Sequence, residues 1–222
     1  MFTGIVETMG RVKSCARRGA DMRLTIDAPE FDFSDVAIGD SICVNGVCLS
    51  AVELGESWFS ADVSAETLSC TTLGALGVGS SVDLEKALLP TTRIGGHLVS
   101  GHVDGVARID AMRPVGDCRV MRITVPAALA RYIAAKGSVC VDGVSLTVNS
   151  VEGATFEVNL IPHTLARTVL GQHRAGTAVN IEIDVVARYL ERLLGGPGHE
   201  AGSGIDRSLL SAHGYIDDVS KA

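Results

Sequence analysis

SICVNGVCLSAVE at 41–53 and SVCVDGVSLTVNS at 138–150 are one segment written twice, 97 positions apart. The same offset lays ETLSCTTLG (66–74) on HTLARTVLG (163–171) and VGSSVDLE (78–85) on AGTAVNIE (175–182). No gap is needed between residues 1 and 88, and 22 of those 88 positions are identical in the two copies. Chance similarity does not hold one register that long. Solenoid units run at roughly 20–50 residues, so this period marks a duplicated domain. The domains are expected at 1–96 and 97–184, followed by an added piece at 185–195 and a loose tail at 196–222.

Each copy reads as mainly β. Asn45-Gly46 and Asp142-Gly143 sit between short β-branched runs, the pattern of a tight hairpin. Thr155–Leu160 and Ala178–Ile183 read as further strands. Ala127–Ala135, after Pro126, and Thr164–Leu170, before Gly171, read as short helices. With 25 glycines and only 4% aromatics, the composition suits strands and tight turns. Several short strands at close spacing predict a small closed barrel per copy. In the added piece, Val185, Val186, Tyr189, Leu190, Leu193 and Leu194 form one helical stripe, which fits packing on its own barrel or contact between subunits.

The composition removes several function classes. Lys and Arg number 19 against 26 Asp and Glu, a net charge of −7, so the cationic footprint of a nucleic-acid binder is missing. Hydrophobic residues make up 46%, ample for a core, yet no apolar run approaches the ~18 residues of a membrane span. The start MFTGIVETMGRV lacks a cationic-then-apolar leader, and the six cysteines form no CxxC pair. Reduced thiols in the cytoplasm are the expectation.

Three constellations could carry chemistry. Gly95-Gly96-His97-Leu98-Val99-Ser100-Gly101-His102 is glycine-rich but has no Lys-Ser/Thr of a phosphate loop. His102 and Asp104 would share a strand face, with His97 on the other, and no third ligand converges as a metal site needs. Ser145, His102 and Asp184 could form a hydrolase triad, but Gly143-Val144-Ser145-Leu146-Thr147 lacks the second glycine of a nucleophile elbow. Comparing the copies says more. His102 stands opposite Ile5, Lys136 opposite Gly39, Ser145 opposite Cys48, His163 opposite Glu66 and Asp184 opposite Ala87. The second copy gains a base, an ammonium and a carboxylate. Two pockets of like shape and unlike chemistry suit a dismutation, in which one substrate molecule donates and its twin accepts.

MFTGIVE, NGVCL (45–49), AETL (65–68), IGGHLVSGHVDG (94–105), GVSLTVN (143–149), LIPHTL (160–165) and VNIEID (179–184) together resemble the riboflavin synthase alpha-chain family. The resemblance spans about 190 residues, with Ser50 standing where threonine is usual. It implies two tandem six-stranded antiparallel Greek-key β-barrels, a C-terminal trimerising helix, a homotrimer, and neither cofactor nor metal. The implied reaction converts two 6,7-dimethyl-8-ribityllumazine molecules into riboflavin and a ribitylaminopyrimidinedione. Each site would lie between the first barrel of one subunit and the second barrel of the next, with lumazine synthase as a candidate partner.

By the same resemblance, Gly4, Ile5, Val6, Ser41, Cys48, Leu49, Ser50, Asp62, Val63, Ser64, Ala65, Glu66 and Thr67 line the first-barrel pocket. Gly101, His102, Val103, Lys136, Ser145, Leu146, Thr147, Asn159, Leu160, Ile161, Pro162, His163, Thr164 and Asp184 line the second. His102 is the expected general base, because an imidazole titrates near neutrality. Asp184 would orient or polarise, Ser145 and Thr147 would bind ring polar groups, and Cys48 would be nucleophile or pocket wall. A non-catalytic lumazine- or flavin-binding protein is the rival reading. The full set of polar residues in the second copy favours the enzyme.

Overall fold

The computed structural model describes residues 1–194; the expected tail at 196–222 lies outside them. Strands β1 (Thr8–Arg18), β2 (Asp21–Asp27), β3 (Ser41–Val44), β4 (Val47–Leu54), β5 (Trp58–Val63) and β6 (Ser81–Lys86) close into a barrel in the order β1-β2-β5-β4-β3-β6. Strands β7 (Gly105–Val115), β8 (Cys118–Thr124), β9 (Ser138–Val141), β10 (Val144–Glu152), β11 (Thr155–Leu160) and β12 (Ala178–Ile183) close a second barrel with the same connectivity. All neighbours are antiparallel. Period-2 patterning fills each interior: Met22, Leu24 and Ile26 of β2 are buried in the first, as Met121 and Ile123 of β8 are in the second.

The duplication extends to irregularities. The register shifts at Val12/Ser14 and Ala51/Glu53 in the first barrel, and at Ile109/Ala111 and Val148/Ser150 in the second. These are matching positions, where a bulge supplies the bend that closure requires.

Both expected hairpins form. Asn45 and Gly46 have φ of 46 and 81, and Asp142 and Gly143 have 47 and 86, the double left-handed geometry of a type I′ turn. The two tips meet. A Cβ on Gly46 would lie 2.8 Å from the Gly143 nitrogen, and one on Gly143 equally close to the Gly46 nitrogen. Phe2, Cys43, Val99 and Cys140 form a small apolar cluster of their own.

The helices are shorter than the sequence suggested. Helix α1 (Ala65–Cys70) is capped by Ser64. Helix α2 covers only Ala127–Ala130, because the chain turns there to bury Ile133 and reach β9. Helix α3 is Pro162–Arg167, and a 3-10 turn at Val169–Gln172 replaces its expected end. The break is at Thr168, whose hydroxyl donates to Thr164 O at 2.7 Å while the Val169 N–H turns away to Asp83 Oδ1 at 2.8 Å. Helix α4 (Val185–Leu194) carries the expected stripe, with Val186, Tyr189, Leu190, Leu193 and Leu194 exposed. Among the described residues no helix is long and apolar enough to cross a membrane.

A buried polar network joins the barrels beside the hairpin tips. Asn180 Nδ2 donates to Asn45 O at 2.8 Å, Asn180 N–H to Asp142 Oδ1 at 2.7 Å, and Asp83 N–H to Asn45 Oδ1 at 2.7 Å. His173 Nε2 lies 2.8 Å from Asp142 Oδ2. Asp83, the register partner of Asn180, leaves Oδ2 buried without a partner. Burial, and secondarily the Asp142 carboxylate, holds the Asp83 carboxyl well above the ordinary range, against the Val169 N–H that favours its charged form.

This predicts a stability effect of definite sign. A carboxyl whose folded pKa is raised gives its full contribution below the unfolded value near ~3.9. It loses about 1.4 kcal/mol per pH unit from there until its folded pKa is passed. Asp83→Asn carries a neutral amide at every pH. Its melting temperature relative to the parent should therefore rise between pH 5 and pH 8. An unchanged difference across that range, read by calorimetry, would show that Asp83 is ionised in the folded protein.

Candidate active site

Two straps cross between the barrels. Residues 1–6 lead into β1 and residues 97–104 lead into β7. They pair with each other: Phe2 N–H donates to Val99 O at 2.7 Å and Val99 N–H to Phe2 O at 3.0 Å. Each turns at a left-handed glycine, Gly4 at φ 74 and Gly101 at φ 80. There each strap touches the other barrel. Ser145 N–H donates to Gly4 O, and Cys48 N–H to Gly101 O, both at 2.8 Å. Beyond the turns, Val6 packs against the second barrel's core and Val103 against the first's.

This exchanges two groups of candidate residues. The resemblance put Gly4, Ile5 and Val6 with Cys48, and Gly101, His102 and Val103 with Ser145. The structure places Gly4 against Ser145 and Gly101 against Cys48. The physical reason is that the straps cross before their own strands begin, which no register comparison reveals.

The first-barrel group then comprises Cys48, Leu49 and Ser50 on β4, Asp62–Thr67 at the end of β5 and start of α1, and the strap Gly101–Val103. Cys48 is half-buried, Ser50 is exposed opposite Ser41, and Leu49 and Val63 are in the core. The last two can offer a ligand only their backbone. Asp62 is engaged by Arg23 through two contacts of 2.7 Å, which, hydrogen bond first, hold its carboxyl below the usual range. The Ser64 oxygen accepts Thr67 N–H at 3.2 Å, the Ala65 N–H donates to Asp21, and the Glu66 carboxylate accepts the Cys70 thiol.

Ser41 and Ile5 meet instead in a cavity of about 620 Å³ lined also by Glu7, Asp40, Lys86 and Arg93. That space is not lined by Cys48, His102 or Ser145, so it does not coincide with the predicted chemistry.

The second-barrel group has Ser145, Leu146 and Thr147 on β10, Asn159–Thr164 running from β11 into α3, and the strap Gly4–Val6. Leu146 and Leu160 are core, while Thr147, Asn159, Ile161, Pro162 and His163 are exposed. Lys136 is exposed with φ 67, where the first copy has Gly39 at φ 97. A left-handed L-residue costs roughly 1–2 kcal/mol, so a lysine here needs a reason other than the turn.

The sequence reading missed the partner of Ser145. His97 Nδ1 lies 2.7 Å from Ser145 Oγ, and the His97 N–H donates to Thr3 O at 3.1 Å. His97 Nε2 is buried with no hydrogen-bond partner. Burial pulls this imidazole below its ordinary value, and the Asp184 carboxylate pushes the other way. His102, the expected base, is exposed and held by its main chain, whose N–H donates to Glu182 Oε2 at 3.1 Å. The expected strand carrying His102 and Asp104 does not form, since β7 starts at Gly105 and Asp104 Oδ2 accepts the Ile183 N–H at 2.9 Å. Among the described residues no three His, Cys, Asp or Glu side chains group as metal ligands. No register comparison could have found His97, because the offset of 97 leaves that position without a counterpart in the first copy.

A family model described as lumazine binding domain matches residues 3–87 and 100–184. The chain is 46% identical to riboflavin synthase of Photobacterium phosphoreum over 217 residues, covering 97% of the chain and 100% of that protein. It is 48% identical to riboflavin synthase of Mycobacterium tuberculosis (strain ATCC 25618 / H37Rv) over 202 residues, covering 89% and 100%. Among solved structures, LumP complexed with riboflavin superposes with a TM-score of 0.77 at 26% identity, covering 82% of this chain and 99% of that one.

Proposed function

The chain belongs to the riboflavin synthase family, and on that footing we propose how its two barrels carry out the family's reaction. The enzyme dismutates two 6,7-dimethyl-8-ribityllumazine molecules, moving a four-carbon unit from one to the other to give riboflavin and 5-amino-6-ribitylaminopyrimidinedione. Each barrel holds one lumazine. Keeping the two rings in contact supplies the proximity and orientation on which a reaction between two bound substrates depends.

The observation that carries this reading is the unequal chemistry of two equivalent positions. In the second barrel Ser145 Oγ is hydrogen-bonded to the neutral-leaning His97, while in the first the same position is Cys48 beside the His102 strap. The lumazine C7 methyl is acidic because its carbanion spreads into the ring. The Ser145–His97 pair is built to take that proton, and the Asp184 carboxylate favours the imidazolium that results. Cys48 and His102 serve the acceptor ring, and Lys136 offers a cation to ring or ribityl oxygens. The exposed apolar face of α4 supports a homotrimer with sites completed between neighbouring subunits. The six unbridged cysteines fit a cytoplasmic enzyme.

The test is consumption of purified 6,7-dimethyl-8-ribityllumazine without added cofactor, with both products quantified. One riboflavin per two lumazines, and two binding steps of unequal affinity per chain, are expected. Tight binding without turnover would place the chain with ligand-holding proteins. A single step per chain would refute the two-site reading.

A further inference from the structure

Glu85 and Glu182 are register partners, and theirs is the one acidic identity between the copies. Both are buried, 5% and 3% exposed, on β6 and β12. The hydrogen bonds of each go to a strap. Glu85 Oε1 accepts Thr3 N–H at 2.7 Å and the Thr3 hydroxyl at 2.5 Å, and Oε2 accepts Gly4 N–H at 3.0 Å. Glu182 Oε1 accepts Ser100 N–H at 2.6 Å, and Oε2 accepts Gly101 N–H at 2.9 Å and His102 N–H at 3.1 Å. Successive backbone N–H groups converging at a left-handed turn form a nest for an anion, and here the anion is a side chain.

The carbonyls of the same gripped residues face the opposite barrel. Thr3 O accepts His97 N–H and Gly4 O accepts Ser145 N–H, so the strap held by Glu85 fixes both members of the Ser145–His97 pair. Gly101 O accepts Cys48 N–H, so the strap held by Glu182 fixes Cys48.

We propose that Glu85 and Glu182 are crossed positioning residues: the carboxylate of each barrel sets the geometry of the other barrel's site. The inference rests on the reading of the two sites as ligand-holding. Glutamine at either position keeps size but turns an NH2 group toward a backbone N–H, which releases at least one strap contact.

The experiment is a riboflavin titration of the full chain followed by flavin fluorescence. Cys48→Trp and Ser145→Trp mark which step belongs to which barrel. Glu85→Gln should weaken the step that Ser145→Trp removes by tenfold or more and leave the other within twofold; Glu182→Gln should do the reverse. Weakening of the variant's own barrel, or of both steps alike, would overturn the proposal. Amide exchange gives a ligand-free readout. The Ser145 amide should lose protection at least tenfold in Glu85→Gln while the Cys48 amide does not, with the converse in Glu182→Gln. Equal loss at both amides in either variant would also overturn it. If the parent showed no two-step binding, the functional reading would fail, and the exchange pattern would still decide the crossing. Thr3→Val, which removes only the hydroxyl contact, repeats the Glu85 test at smaller amplitude should the glutamine variant fold poorly.

Discussion

Substituting His97 by alanine is expected to lower turnover by about 10²–10⁴-fold, the usual contribution of a positioned acid or base, while both barrels remain folded. The ring Nδ1 lies 2.7 Å from Ser145 Oγ, and its Nε2 is buried without a partner, so the route for a substrate proton to the imidazole runs through the Ser145 hydroxyl. Burial keeps the imidazole neutral to lower pH than a free histidine, so the acid limb of kcat should fall below ~6.5. The Asp184 carboxylate works against burial. Asp184→Asn removes that push, and the limb should move further to the acid side. The measurement is kcat against pH for the parent and Asp184→Asn, with His97→Ala as the base-free reference. A limb that stays or moves up in Asp184→Asn, or parent-like turnover in His97→Ala, would remove the assignment.

Gly101→Ala is expected to destabilise the protein strongly although it adds a single methyl group. Its φ of 80 disfavours any side chain, and an added Cβ would lie 2.6 Å from Cys48 Cβ and 2.9 Å from the Cys48 nitrogen. A backbone atom on a barrel strand cannot give way as a side chain can. Left-handed strain contributes about 1–2 kcal/mol and overpacking about 1–3 more. Together these should lower the melting temperature by about 4–20 °C at this chain length. Gly39→Ala is the control, since φ is 97 there but no atom lies within 4 Å of the added carbon. The difference between the two, read by calorimetry, isolates the close approach. Equal losses would mean that the strap can lift away from Cys48 at little cost.

The barrels were legible because strand alternation and Asn-Gly and Asp-Gly turns are local signals, and because the register of 97 doubles every one of them. Strands Thr155–Leu160 and Ala178–Ile183 form over the residues expected. Helix ends were not legible. What stops α3 is the buried Asp83 carboxylate taking the Val169 N–H, a contact 86 positions away. The grouping of site residues failed for a related reason. Register pairs like with like, whereas the straps pair Gly4 with Ser145 and Gly101 with Cys48. The acidic identity of Glu85 and Glu182 was visible in the sequence, yet a carboxylate repeated in both copies says nothing of three backbone N–H groups converging on it.

The crossed straps also set a timetable for synthesis. Gly4 leaves the ribosome about 140 residues ahead of Ser145, whose strand binds its carbonyl. At roughly 5–20 residues per second that is a delay of about 7–30 s. During it the first barrel can close around its own core, and Glu85 can grip Thr3, while the outward carbonyls stay wet. The second barrel therefore docks onto a strap that is already anchored, and a nascent chain halted before β10 would hold a finished first barrel whose strap is gripped by Glu85 while the Gly4 carbonyl still lacks Ser145.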